Sequence, residues 1–195
     1  MSKRHCSLPP LWLMTDERLG SALCATLAAL PAGSGVIFRH YATPKAERRA
    51  LFNHVRAIAR KKRLVLVLAG SPGQARAWGA QGSHGRHPGA MTAPVHNLVE
   101  MRAAERRGAQ LLFLSPLFAT RSHPGERGLG RVRFAALCHQ ARRPVIALGG
   151  MTDARFRRLP KAGNRSYCHG WAAIDGLTVT AAAAGRDQKR NAVPR

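Results

Sequence analysis

The sequence predicts a compact (β/α)8 barrel in a single domain, and three observations point there. Short apolar runs alternate with longer Ala- and Arg-rich segments of helical character along most of the 195 residues. Eight such runs fall between Leu11 and Ile174. Several are apolar continuously rather than at alternate positions, as expected when helices cover both faces of a parallel sheet or the outside of a barrel. An open doubly wound sheet is the competing architecture.

In chain order the expected strands are Leu11 to Thr15, Gly35 to His40, Leu64 to Ala69, Gln81 to His84, Met91 to Val95, Gln110 to Ser115, Pro144 to Leu148 and Gly170 to Ile174. The helices expected between them run from Arg18 to Leu30, Pro44 to Lys62, Pro72 to Trp78, Asn97 to Arg107, Arg131 to Arg142 and Asp153 to Ala162. Asp16 is a natural N-cap for the first helix, and Thr152 or Asp153 for the last. The stretch from Gln81 to Gly89 is too short for a strand plus a helix, so one connection must be a bare loop. The barrel is expected to occupy residues 1–184, with 185–195 a frayed basic tail that lacks apolar periodicity.

Composition excludes several classes. At 45% hydrophobic the chain is globular, and no apolar run approaches the roughly 20 residues needed to span a bilayer. The apolar segment behind Lys3 and Arg4 is broken by Pro9, Pro10 and Asp16, so it makes a poor signal peptide and the chain reads as cytoplasmic. The four cysteines, Cys6, Cys24, Cys138 and Cys168, form no CxxC pair, which leaves reduced thiols as the expectation. The net charge of +23 is distributed as pairs and runs such as Arg60-Lys61-Lys62-Arg63, mostly near helix C-termini where cations suit the dipole. No zinc finger or aromatic RNA-binding motif accompanies them, so no specific nucleic-acid partner is expected, nor a membrane.

In such a barrel the C-terminal ends of the strands carry the active site. That rule selects Thr15 and Asp16; Arg39, His40 and Tyr41; Gly70 and Ser71; His84 to His87; His96; Ser115 to His123; Gly149 to Thr152; and Ile174 with Asp175. In "VIALGGMTDARF" the glycine pair lets the backbone approach a ligand and precedes a helix N-terminus, which suits phosphate; an ordinary tight turn explains the same residues. "SPLFATRSHPG" offers the hydroxyls of Thr120 and Ser122 and the cations Arg121 and His123, all partners for an anion. The imidazoles of His84, His87 and His96 lack a carboxylate or cysteine at a familiar zinc spacing, so no metal site is assigned to them.

Those two loops, in this order and spacing, resemble the thiamine-phosphate synthase family and its TenI-type relatives. "SPLFATRSHPG" is similar to the family's phosphate loop, "PVIALGGM" to its strand before the phosphate-binding glycines, and the likeness runs from "LWLMTDERLG" through "GWAAID". The resemblance implies a (β/α)8 barrel that joins an aminopyrimidine diphosphate to thiazole phosphate, with magnesium as cofactor and small phosphorylated substrates as partners. A homodimer is compatible with it. It places the thiazole phosphate on Gly149 and Gly150, assisted by Thr120 and Ser122 and by Ile174 and Asp175. Arg39 matches an arginine that serves the diphosphate, and His123 stands where the family has a lysine; these two are the implied catalytic residues.

The departures are as specific. The Asn-Asp pair whose aspartate holds magnesium corresponds to Ala69-Gly70, and the next strand's loop contains no carboxylate. Magnesium ligands are therefore not found, and His84, Arg86, His87 and Arg121 are the cations left to contact a diphosphate. Two alternatives stay open: a TenI-type thiazole tautomerase, whose catalytic histidine corresponds here to Pro116, and a degenerate barrel that binds thiazole phosphate without catalysis.

Overall fold

The computed structural model describes residues 8–119, 128–159, 161–162 and 165–178. Its strands are β1 (Leu11–Thr15), β2 (Gly35–Phe38), β3 (Val65–Ala69), β4 (Gly82–His84), β5 (Thr92–Val95), β6 (Leu111–Leu114), β7 (Val145–Ala147), β8 (Lys161–Ala162), β9 (Arg165–Ser166) and β10 (Gly170–Ala173). β1 to β7 and β10 pair in parallel and close into an eight-stranded barrel, with β10 seated between β7 and β1. Closure excludes the open sheet. β8 and β9 form a small antiparallel hairpin outside the ring.

The helices are α1 (Ala22–Ala29), α2 (Lys45–Lys62), α3 (Pro72–Trp78), α4 (Leu98–Arg106), α5 (Gly130–Gln140) and α6 (Asp153–Arg157). The expected boundaries are corrected in three places. Asp16 does cap the segment after β1, but what it caps is one 3-10 turn, Glu17–Leu19, and the α-helix starts only at Ala22. β2 stops at Phe38, because His40 takes the left-handed φ of 44° and turns the chain. The helix expected to reach Ala162 stops at Arg157; Pro160 in the sequence lacks the N–H to continue it, and the hairpin takes its place. The connection from β4 to β5 has no helix, as its length required.

Local chemistry sets the helix starts. Ser71, Asn97 and Thr152 each accept a hydrogen bond from the backbone N–H three residues on, the N-cap arrangement that satisfies a free donor of the first turn. α2 turns Phe52, Val55 and Ala59 toward the barrel and leaves most of its charges outside.

Alternation along the strands builds two layers. Trp12, Met14, Ile37, Val67, Leu111, Phe113, Ile146 and Ala172 fill the barrel's interior. Leu13, Val36, Phe38, Leu66, Ala93, Val95, Leu112 and Leu114 point outward against the helices. The floor is closed by Trp12, wholly buried, whose Nε1 donates to Pro9 O at 2.6 Å and whose ring meets Phe113 edge-on at 5.4 Å. Gly35 makes room for it: a Cβ there would overlap the indole ring. Trp12→Ala therefore empties the floor, and the expected loss is about 3–5 kcal/mol in urea unfolding followed by circular dichroism; a loss under about 1 kcal/mol would show that the floor repacks.

Candidate active site at the C-terminal mouth

A cleft open to solvent lies at the C-terminal rim between the ends of β6, β7 and β10. Ser115 and Pro116 form one wall, Leu148 to Met151 another and Ala173 to Gly176 the third; Arg39 reaches in from β2. Of the residues the sequence nominated, Arg39, Ser115, Pro116, Gly149, Gly150, Met151, Ile174 and Asp175 thus share one cavity.

The glycine pair has a structural reason of its own. Gly149 and Gly150 have φ of 97° and 61°, where L side chains are strained. A Cβ on Gly149 would lie 2.7 Å from Pro116 Cα, and one on Gly150 2.8 Å from Ala119 O. The loops after β6 and β7 are zipped there by Leu117 N–H to Leu148 O at 2.8 Å and Phe118 N–H to Gly149 O at 3.2 Å. The N–H groups of Gly149, Gly150 and Met151 make no main-chain hydrogen bond among the described residues. Close packing and open donors coexist at this turn.

Arg155 was not nominated from the sequence. It sits three residues after the cap Thr152, hydrogen-bonds Gly150 O, and stacks its guanidinium 4.9 Å from the centre of the Phe118 ring. Its position in the first turn after the glycines was the available signal.

Arg39 is held on two sides. Its Nε donates to Thr15 O at 3.0 Å and its Nη2 to Asp16 Oδ2 at 2.7 Å. Asp16 also accepts from Arg18 Nη2 at 2.8 Å and from the Arg18 N–H at 3.1 Å. Burial by itself raises the Asp16 carboxyl, but the Arg18 hydrogen bond and the charges of Arg39 and Arg18 outweigh it and hold the group below its ordinary value. Reading Asp16 as a cap was correct and incomplete: the same carboxylate anchors Arg39, a partner 23 residues away. Buried Arg48 steadies the rim by donating to Arg39 O and Ala69 O, each at 2.9 Å.

His84, Arg86, His87 and His96 do not line this cleft. His84 points into the barrel, paired through Nδ1 with Thr92 Oγ1 at 2.8 Å and edge-on to Phe113. Burial first, then the charge of Arg39, pushes it down to about 3, so it is neutral at physiological pH. Arg86 pairs with Glu100 at 3.1 Å, and with His87 it lines a separate cleft against α4, on the side that lacks a helix. His96 donates from Nδ1 to Ser115 O at 2.8 Å, since a carbonyl can only accept, which leaves Nε2 as the unengaged ring nitrogen. Thr120, Arg121, Ser122 and His123 lie outside the described residues.

The described residues do not assemble a magnesium site. Among the described residues no three His, Cys, Asp or Glu side chains gather as a metal site. Ala69 and Gly70 stand at the end of β3, Asp16 is shared by two arginines, and Glu17 is taken up by Thr43 and the Ala42 N–H. Hard cations need free oxygen donors; Asp16 and Glu17 are committed, which leaves Asp175, 4.0 Å from Arg18, as a lone carboxylate on the cleft wall.

Fold and cleft together define a class, the small closed (β/α)8 barrels with a glycine-bearing cleft at the C-terminal mouth. Within it, the family model for thiamine monophosphate synthase matches residues 11–177, and the chain belongs to that family. A putative thiamine-phosphate synthase 2 of Aquifex aeolicus is 35% identical over 69 residues, and a thiamine-phosphate synthase of Pyrococcus furiosus 28% identical over 100. These matches cover 35% and 51% of this chain, and 37% and 44% of those relatives. Among solved structures, a thiamine phosphate pyrophosphorylase from Pyrococcus furiosus superposes with a TM-score of 0.72 at 21% identity, covering 94% of each chain. A structure titled native KDPGal superposes at 0.58 and 19% identity, covering 93% of this chain and 94% of that one, so the likeness of fold extends beyond the family. No helix among the described residues is long and apolar enough to cross a membrane.

Two titrations check this geometry. The unfolded chain protonates His84 near 6.5 while the fold resists until about 3, so this residue's contribution falls as pH drops through that window. His84→Gln should therefore flatten the pH dependence of the urea midpoint between pH 7 and pH 4; an unchanged slope would remove His84 as its source. Asp16→Asn keeps a good cap and deletes the charge, at an expected cost of about 1 kcal/mol at pH 7. Because the folded carboxyl is held low, that difference should be full above the ordinary carboxylate range and vanish as pH falls through the folded value. A gap that persists once the folded carboxyl is protonated would assign the loss to packing.

Proposed function

We propose that the mouth cleft binds a phosphorylated thiazole and that the chain carries out the transfer typical of its family, in the cytoplasm, as a step of thiamine biosynthesis. The carrying observation is the convergence of Gly149 and Gly150, the end of β10 and Arg39 on one cavity. The main-chain N–H groups of the glycine turn donate to the thiazole phosphate, beside Ile174 and Asp175. Arg39, oriented by Asp16 and Thr15, meets the diphosphate of the aminopyrimidine as a preset positive charge. The bond between the pyrimidine methylene and the diphosphate oxygen breaks, its electron pair leaving with pyrophosphate, and the thiazole nitrogen lone pair forms the new C–N bond. His123 and Arg121 of the phosphate loop are assigned to the same leaving group.

A second reading is favoured by the lack of a gathered carboxylate set among the described residues: the chain retains the phosphorylated thiazole without performing the transfer. The two separate in one assay. Purified chain incubated with both substrates is expected to form thiamine phosphate by mass spectrometry, at a rate that chelators leave unchanged, and Arg39→Ala is expected to lower that rate about 100-fold. Thiazole phosphate should raise the melting temperature of the wild type but not of Gly150→Asp. Stabilisation without product would select the second reading, and neither effect would refute both.

A further inference from the structure

The end of the barrel opposite the mouth carries a groove that the proposed chemistry does not use. It has two stretches, both bordered by Gln81. Arg56, Arg60 and Arg63 line the first and Arg76 lines the second, and no carboxylate lines either. Lys61 and Lys62 stand between the first set in the last turn of α2. The carbonyls of that turn do not offset these charges fully, because the Arg63 N–H caps those of Ala59 and Arg60.

The charge separation runs along the barrel axis. In an α/β barrel the helices run back against the strands, so first-turn carboxylates lie at the mouth and last-turn cations at the floor. Glu47, Glu100 and Asp153 occupy first turns, while Asp16, Glu17 and Asp175 follow strand ends. Glu105 is the exception among the described residues. Its carboxylate is bound to Arg102 at 2.8 Å and to the Arg142 N–H at 2.6 Å. Among the described residues the carboxylates thus gather toward the mouth, and the floor has Glu105 alone.

We propose that this groove binds the phosphate backbone of nucleic acid without reading its sequence. Guanidinium groups match phosphate oxygens as two-pronged donors, and a row of them along a groove suits a ligand that repeats its charge. No aromatic side chain lines either stretch, so bases are neither stacked nor identified there. The lack of an apolar wedge also argues against a lipid surface.

The test is fluorescence anisotropy with the full chain and a labelled 20-nucleotide mixed-sequence RNA at salt concentrations from 50 to 200 mM. Binding should persist at 150 mM and weaken with a slope of log K against log salt steeper than about −2, the signature of three or more phosphates. Arg60→Glu with Arg76→Glu should weaken binding at least tenfold and reduce the slope by about 1.4. Arg131→Glu with Arg133→Glu on α5 makes the same change in net charge away from the groove and should cost less than threefold. The pair Arg60→Gln with Arg76→Gln, checked by circular dichroism, repeats the measurement without charge reversal. Equal losses in the α5 and groove variants, an unchanged slope, no binding at 150 mM, or capture by phosphatidylserine vesicles but not by RNA would each overturn the proposal.

Discussion

Eight parallel strands that close on themselves must all finish on one rim, and the closed ring can be filled only by side chains of limited total volume. This constraint organises the molecule. Trp12 occupies the floor only because Gly35 has no side chain, and Phe113 and Ile37 continue the packing upward. The mouth then receives whatever the strands carry at their ends: a carboxylate and an arginine, a histidine that stays neutral, and two glycines.

The mouth is accordingly a place where charge is already partly compensated. Asp16 spends its oxygens on Arg18 and Arg39, which orients the guanidinium and withdraws the carboxylate from any cation. Where the family's chemistry relies on a metal to gather negative charge, the described part of this chain offers fixed arginines and main-chain donors. An arginine held by its carboxylate needs little reorganisation, yet part of its field is cancelled by that same partner. The glycine turn carries a different compromise, since the close approach of the β6 and β7 loops and the open N–H groups both require the absence of Cβ.

Much of the architecture was legible from short-range rules. Continuous apolar runs marked the strands, and Ser71, Asn97 and Thr152 marked helix starts because a cap acts within one turn. The misplacements arose where longer-range geometry intervened. Local pattern did not reveal that His40 would turn the chain with a positive φ, or that a hairpin would replace the end of α6. At the site, Arg39, Gly149, Gly150, Ile174 and Asp175 could be nominated because strand ends converge by topology. Arg86 and His87 could not be excluded in advance, because the missing helix after β4 diverts their loop toward α4.

By itself the sequence determined the strand and helix order, the family resemblance, the scarcity of carboxylates and the absence of one at the usual metal positions. These depend on residue type, spacing and local backbone preference, all carried by the chain in one dimension. Only the tertiary structure decided that Asp16 belongs to Arg39, that His84 is buried beside Thr92 rather than free to meet an anion, and that Arg56, Arg60, Arg63 and Arg76 line clefts at the end away from the mouth. Electrostatics and burial act through space, and the distances that set them exist only once the ring has closed.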